Sequence, residues 1–176
     1  MIDHCRRHDR KAQMELYRKY AQGMFCVAMR MVRNEADAED LIQEAFIKAF
    51  QKLDQFQGQV SFGAWLKRIV VNRCLDFLKA RKQYFVDIEE HRLQPVTADA
   101  DWEVNYPVGP EEVRSAIDAL PDKYREVVQL YLIEGYDHSE IAEILGIKET
   151  TCRTRLMRGK SYVLEQFNDN NHVAGS

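Results

Sequence analysis

The amino-acid sequence predicts an all-α protein with two small helical domains joined by a flexible acidic linker. Apolar residues recur at three- and four-residue steps along most of the chain, as expected when one side of each helix is buried. The alternation of apolar and polar residues that marks strands appears nowhere with comparable strength. Between residues 84 and 110 the helical periodicity stops, and this stretch holds three of the four prolines.

The first domain, residues 1–83, is predicted to be a bundle of three helices. Asn34 is suited to cap the second helix, which begins near Ala36, and a loop over residues 54–61 with Gly58 precedes the third. The apolar stripes are Ala12, Leu16, Tyr20, Met24, Val27 and Met31 in the first helix; Leu41, Ile42, Ala45, Phe46, Ala49 and Leu53 in the second; and Phe62, Trp65, Leu66, Ile69, Val70, Cys74, Phe77 and Leu78 in the third.

The second domain is predicted to span residues 111–170, after a linker over residues 84–110 and before a short tail, residues 171–176. Pro121 is expected in the first turn of a helix that Gly135 ends. A short helix precedes it, and the apolar positions of the two are Val113, Ala116, Ile117 and Leu120, then Tyr124, Val127, Val128, Tyr131 and Leu132.

A helix-turn-helix motif follows. Asp137 and Glu140 have the spacing of a capping box, Ala142 is small where a second helix must approach, and Gly146 permits a tight turn. A longer helix is expected from about Glu149 to Phe167, with Cys152, Leu156, Gly159 and Val163 buried. Such motifs place the first residues of the second helix in a DNA major groove.

The start of that second helix supplies the candidate DNA contacts. An arginine side chain can donate hydrogen bonds to guanine, and a glutamate can accept a hydrogen bond from cytosine. Cationic side chains that do not reach a base can bind phosphates. The predicted base readers are Lys148, Glu149, Thr150, Thr151, Arg153 and Thr154, and the predicted phosphate contacts are Arg155, Arg158 and Lys160. The alternative is a plain helical hairpin with a solvated basic face.

Charge is unevenly distributed along the chain. The net charge is −3, so the whole molecule is a poor counterion for DNA. Residues 62–83 nevertheless hold six cations and one carboxylate, whereas residues 87–112 hold eight carboxylates and one arginine. This separation favours two basic DNA-facing surfaces joined by an acidic connection, although charge runs are also common on solvated faces.

Several other classes of protein are disfavoured by the sequence. The apolar runs are too short to span a bilayer, and the first eleven residues do not resemble a signal peptide. The four cysteines have no disulfide or zinc spacing, so we expect a cytoplasmic protein without a metal or other cofactor. His4 and His8 are four residues apart but have no third ligand. No P-loop, nucleophile elbow or acid pair indicates an enzyme.

Four segments together resemble the extracytoplasmic-function class of sigma-70 family sigma factors. The segments AEDLIQEAF (residues 38–46) and FGAWLKRIVVNRCLDFLK (residues 62–79) are similar to regions 2.2 and 2.3–2.4. The segments ALPDKYREV (residues 119–127) and EIAEILG (residues 140–146) are similar to region 4. The resemblance runs in family order from about Asp9 to Phe167, which is more specific than a helix-turn-helix alone.

The resemblance implies a subunit that directs core RNA polymerase to promoters and assists DNA opening. Asp40, Gln43 and Glu44 then correspond to a surface that binds the polymerase β′ subunit; β contacts and an anti-sigma inhibitor are also implied. For Asp40, Gln43 and Glu44, the spacing in the sequence fits a solvated acidic face equally well.

The resemblance also assigns the DNA contacts. The helix-turn-helix would read the minus-thirty-five element, and the loop over residues 55–61 with the following helix would capture a base of the melted minus-ten element. The matching residues are Phe56, Lys67, Arg68, Asn72 and Arg73. Phe56 could instead close the core, and Trp65 is expected in the core.

Three residues depart from the family pattern. Lys148 stands where a capping serine is usual, a loss of about 1 kcal/mol unless another group replaces it. Cys152 replaces a usual valine and Gly159 a usual alanine, so a less stable second helix is expected. These departures also make the promoter sequence hard to infer.

Two other function classes would also account for a helix-turn-helix. A free-standing helix-turn-helix regulator would use its first domain to dimerise or bind a signal. This interpretation gives no role to the surface formed by Asp40, Gln43 and Glu44, or to Asn72. A palindromic footprint without polymerase would support it. A nuclease or recombinase with a DNA-binding tail would need a catalytic cluster, which the sequence lacks.

Overall fold

The computed structural model describes residues 1–84 and 109–174, and the side chains of 1–82 and 109–167 within them. All regular elements in these residues are helical, which confirms the predicted all-α class. The chain divides into two compact units, Met1–Glu89 and Glu90–Ser176. Most of the predicted linker, residues 85–108, lies outside the described residues, as do residues 175 and 176.

The first unit contains α1 (Ile2–Arg6), α2 (Arg10–Val32), α3 (Glu35–Gln51) and α4 (Phe62–Tyr84), with a 3₁₀ turn at Leu53–Gln55. Polar side chains cap three of these helices. Asp9 accepts from Lys11 N at 2.9 Å, Asn34 from Asp37 N at 2.9 Å, and Ser61 Oγ from Ala64 N at 3.2 Å. The helices α2, α3 and α4 all pack on one another around a core that includes Leu16, Phe46 and Leu66.

Helix α1 was not predicted, because its five residues show no apolar stripe. Cys5 is its only buried residue, at 1% exposure. His4 Nδ1 lies 3.8 Å from Asp9 Oδ2, so this histidine faces a carboxylate. Among the described residues, no group of three metal-ligating side chains is found.

The buried side of α4 differs from the predicted stripe. Phe62, Leu66, Val70 and Cys74 are buried as expected, but Val71 and Leu75 join them. The other members of the predicted stripe are only partly buried: Trp65, Ile69, Phe77 and Leu78. The reason is that α4 packs against both α2 and α3, so its buried sector is wider than a single stripe and is turned away from Trp65.

The second unit contains α5 (Pro110–Asp118), α6 (Asp122–Leu132), α7 (His138–Leu145) and α8 (Glu149–Ala174). Pro121 is the N-cap of α6, one residue before the predicted first turn. Arg125 ties the start of α6 to the connection that precedes it: its Nη1 donates to Leu120 O at 3.2 Å, and it pairs with Asp122 in the first turn of α6. Gly135, at φ +75°, reverses the chain after α6. Helix α8 continues past its predicted end and through part of the predicted tail, since no glycine or proline interrupts residues 168–174.

Candidate nucleic-acid and protein interfaces

The predicted polymerase-binding residues share one exposed side of α3. Asp40, Gln43 and Glu44 are exposed, whereas Leu41 and Ala45 on the other side are buried in the core. The helix therefore presents two acidic groups and one amide without loss of packing. These side chains can meet a partner with complementary cations and hydrogen-bonding groups.

An apolar groove of about 510 Å³ adjoins that side of α3 and shares Gln43 with it. Two of its side chains are unusually exposed for their type, Met14 at 51% and Ile47 at 58%. The groove lies between α2 and α3 and is lined by Arg10, Gln13, Met14, Tyr17, Gln43, Phe46, Ile47 and Phe50. No sequence pattern indicated this groove, because Met14 and Ile47 lie outside the core stripes. The α3 surface thus combines polar groups with an exposed apolar area.

Glu44 and Arg73 form an ion pair that joins α3 to α4. The sequence assigned these two residues to different partners, Glu44 to polymerase and Arg73 to DNA. Both side chains remain accessible, at 53% for Glu44 and 32% for Arg73. The structure therefore brings one residue from each predicted site into direct contact.

Phe56 is buried, at 9% exposure, and its ring faces the start of α4. The ring centroid lies 5.7 Å from that of Phe62 in an edge-on arrangement and 5.3 Å from that of Trp65. This packing fits the alternative interpretation that Phe56 closes the core. In this conformation the ring is not presented for stacking on a base.

The remaining minus-ten candidates occupy different sides of α4. Because successive residues of an α-helix are rotated by roughly 100°, Arg68 and Asn72 share one side with Trp65, and Lys67 lies on another. The side chains of Trp65, Lys67, Arg68 and Asn72 are all partly exposed. Trp65 was expected only in the core, but it is partly exposed on the same side of α4 as Asn72 and is a candidate residue that the sequence patterns did not indicate. An aromatic ring, an amide and a cation together suit single-stranded DNA.

The helix-turn-helix has the predicted geometry. Glu140 N donates to Asp137 Oδ1 at 2.8 Å, and Asp137 N donates to Glu140 Oε2 at 2.9 Å, so the capping box is complete. Gly146 adopts φ +66°, and Ile147 N then donates to Ala142 O at 3.0 Å. This turn sets the start of α8 directly after α7.

The first turns of α8 carry the predicted base readers toward solvent. Lys148, Glu149, Thr150, Arg153, Thr154 and Arg158 are exposed, and Thr151 and Arg155 are partly exposed. Arg153 donates to Glu149 Oε1 from Nη2 at 2.6 Å and from Nε at 3.2 Å, and Thr154 Oγ1 donates to Thr150 O at 2.9 Å. Exposed ion pairs of this kind contribute little stability, so they can be exchanged for base contacts.

The buried side of α8 explains two departures from the family pattern. Cys152 is fully buried, and its Sγ lies 3.6 Å from Nδ1 of His138, which stacks on Tyr131. Burial raises the pKa of the Cys152 thiol and keeps it neutral. Gly159 lies where α8 meets Val128 of α6, and a Cβ there would fall 2.4 Å from Val128 Cγ2. These residues support the fold and are not accessible to DNA.

Comparisons with known proteins identify both units. Residues 16–84 match the Sigma-70 region 2 family, and residues 111–162 match the Sigma-70 region 4 family. The chain is 32% identical over 179 residues to the ECF RNA polymerase sigma factor SigW of Bacillus subtilis, covering 96% of this chain and 95% of that protein. It is 30% identical to the ECF RNA polymerase sigma-E factor of Escherichia coli K12, covering 93% and 90% of the two chains.

A solved structure has the same fold. The sigma factor RpoE of Bartonella quintana, determined with the anti-sigma factor NepR, aligns with a TM-score of 0.60 and 21% identity over 88% of this chain and 96% of that one. Among the described residues, no helix is long and apolar enough to cross a membrane. The two family matches and the nearly full-length similarity to SigW show that this chain belongs to the ECF class of sigma-70 family RNA polymerase sigma factors, which act in promoter-specific transcription initiation.

Proposed function

We propose that the two units of this sigma factor divide promoter recognition between them and act only when bound to core RNA polymerase. Residues 1–83 dock on polymerase and read the melted minus-ten strand, and residues 111–170 read the duplex minus-thirty-five element. Residues 84–110 connect them, and residues 171–176 form a tail. The observation that carries the proposal is that each unit exposes polar and basic side chains on helices whose opposite sides form its core.

The docking surface is the exposed side of α3 together with the adjoining groove. Asp40, Gln43 and Glu44 supply charge and hydrogen bonds to the β′ subunit, and Met14 and Ile47 supply apolar area that a partner can bury. An interface of this composition, with an apolar centre and a polar rim, is typical of stable protein complexes. The β subunit is a further contact, as the family resemblance implies.

Minus-ten recognition uses the side of α4 that carries Trp65, Arg68 and Asn72. The Asn72 amide offers donors and an acceptor to the edge of an unstacked base, while Arg68 follows the backbone. Lys67 and Arg73 lie on other sides of α4 and hold phosphates at a distance from that base. Phe56 contributes through its packing under Trp65.

Minus-thirty-five recognition uses the first turns of α8 in the major groove. Glu149, Arg153 and Thr154 read bases, with Lys148, Thr150 and Thr151 beside them, and Arg155 and Arg158 bind phosphates. The protein catalyses no reaction itself and needs no cofactor, because polymerase supplies the chemistry. Binding energy alone assists DNA opening.

Regulation follows by analogy with the structural neighbour. RpoE of Bartonella quintana was determined with an anti-sigma factor, and we expect an inhibitor of this kind to hold the present chain in the cytoplasm until a signal releases it. Such an inhibitor competes with polymerase for the α3 surface. Purified protein must therefore be free of it before any assay.

Run-off transcription tests the proposed function. Core polymerase is assayed with and without the purified chain on a library of genomic fragments from its host. Protein-dependent starts that share two spaced promoter elements are the expected result. Absence of such starts, combined with a palindromic footprint of the protein alone, would show a free-standing regulator instead.

A further inference from the structure

Arg6 joins the N-terminal helix α1 to the segment that leads into α4. Its Nη2 donates to the carbonyl oxygen of Phe56 at 2.6 Å, and its Nε lies 3.4 Å from the carbonyl oxygen of Leu53. The Nη1 group donates to Asp3 Oδ1 at 3.0 Å, which orients the guanidinium within α1. Hydrogen bonds from a charged donor are stronger than those between neutral groups. One side chain thus holds the backbone of a segment about fifty residues further along the chain.

Helix α1 is itself fixed to α2, so the backbone that carries Arg6 is held in place. Cys5 is buried, and its carbonyl oxygen accepts from Gln13 Nε2 at 3.4 Å and from His8 N at 3.0 Å. Asp9 caps α2, and its own amide donates to His4 O at 3.1 Å. Because α1 is held in place, the Arg6 guanidinium can restrain the segment that it contacts.

The segment beyond Phe56 is exposed but is held at both ends. Residues 57–61 are all exposed, and Gly58 adopts φ +75°. At one end, the Phe56 carbonyl is bound by Arg6 and the ring packs on Phe62 and Trp65. At the other end, Ser61 caps α4. We name residues 57–61 the capture loop, because they belong to the loop over residues 55–61 that the family resemblance expects to capture a base of the melted minus-ten element.

We infer that Arg6 is a positioning residue that pre-orders the capture loop for the melted minus-ten strand. The inference rests on the proposed function, because it assumes that this loop meets DNA. Ordering a loop on binding reduces affinity, so a loop restrained in advance binds more tightly. Arg6 lies before residue 16, where the region 2 match begins. Arg6 acts through the backbone of Phe56 and needs no contact with DNA.

The test uses complete holoenzyme made from core polymerase and the full chain. The probe is a fluorescein-labelled single strand that carries the non-template minus-ten sequence of a promoter recovered by run-off transcription. Arg6→Gln is compared with Arg7→Gln, which removes the same charge from the neighbouring exposed position. Arg6→Lys keeps the charge with fewer donors, and it serves if Arg6→Gln folds poorly. Core polymerase affinity and hydrogen exchange of the capture loop are measured for each variant.

We expect Arg6→Gln to bind the single strand about tenfold more weakly, which corresponds to roughly 1.4 kcal/mol. Exchange in the capture loop should rise, core affinity should stay within about twofold, Arg7→Gln should match the parent, and Arg6→Lys should fall between. The inference is overturned if Arg6→Gln binds the strand normally, or if it loses core affinity to the same extent, which marks a general structural role. If the parent holoenzyme shows no preference for the minus-ten strand, the proposed function itself fails, and the inference fails with it.

Discussion

Replacing Gly159 by alanine is expected to destabilise the second unit, although alanine is the better helix former. Glycine in a helix interior costs about 0.8–1.0 kcal/mol relative to alanine, so propensity alone predicts stabilisation. The structure predicts the opposite sign, since a Cβ at this position would lie 2.4 Å from Val128 Cγ2 and 3.4 Å from Tyr124 Cβ. Carbon atoms in contact are normally about 3.5–4.0 Å apart, so α6 and α8 must separate by about 1 Å.

Val128 cannot relieve this contact by rotating. It is fully buried, and valine in a helix has one strongly preferred rotamer. Overpacking of this kind costs about 1–3 kcal/mol, which exceeds the gain in propensity. The net loss should be about 1 kcal/mol, or roughly 4–8 °C in Tm for a unit of this size.

The matched control is Gly23→Ala in α2. Gly23 is also within a helix, but a Cβ there meets nothing within 4 Å, so this variant should gain about 1 kcal/mol. Urea unfolding of the full chain followed by circular dichroism gives the stability, and hydrogen exchange of α8 and α2 shows which unit changes. In a Val128→Ala background, Gly159→Ala should lose its penalty. The reasoning is refuted if Gly159→Ala alone is as stable as the parent.

Four further predictions concern binding and pH. Ile47→Glu should weaken core polymerase binding about tenfold, or roughly 1.4 kcal/mol. Helicity should be unchanged, because the side chain is exposed. An equal loss of polymerase affinity in the control Met157→Glu would contradict specific binding at the groove. Asn72→Ala should slow opening of duplex promoters and spare pre-melted ones, and normal initiation from duplex DNA would remove Asn72 from the site. Arg153→Ala should cost about 1–3 kcal/mol in binding duplex minus-thirty-five DNA; the loss should vanish when the contacted base pair is changed, and a uniform loss would indicate a phosphate contact. The raised pKa of the Cys152 thiol contributes stability below its ordinary value of 9.0 that is lost as pH rises through the higher folded pKa. The stability of the second unit should therefore fall less steeply above pH 9 in Cys152→Ala, and parallel curves would refute this.

Features set by neighbouring residues were predictable from the sequence. The Asn34 cap, the Asp137–Glu140 capping box and the Gly146 turn depend on groups within three or four positions of one another. The residues that determine these features are therefore close together in the sequence. The helix-turn-helix and the exposed start of α8 follow from these local signals.

The burial of α4 was only partly predictable. A single apolar stripe is expected for a helix with one neighbour, but α4 packs against two, and Val71 and Leu75 are buried as well. Trp65 is consequently less buried than its place in the stripe suggested, and Phe56 covers part of its ring. The choice between a base-stacking and a core role for Phe56 depended on where the loop folds back, which periodicity does not encode.

Contacts between residues that are far apart in the sequence could not be predicted from its local patterns. Arg6 and Phe56 are fifty positions apart, and Glu44 and Arg73 are twenty-nine apart. The Glu44–Arg73 pair links two surfaces that sequence reasoning treated separately. Because both side chains are accessible to solvent, such a pair contributes only about 0–1 kcal/mol. A polymerase contact to Glu44 or a phosphate at Arg73 can replace it at small cost, so the pair excludes neither role. A partner that engages Glu44 leaves Arg73 available to DNA, and the coupling between the two events is limited to the same ~1 kcal/mol.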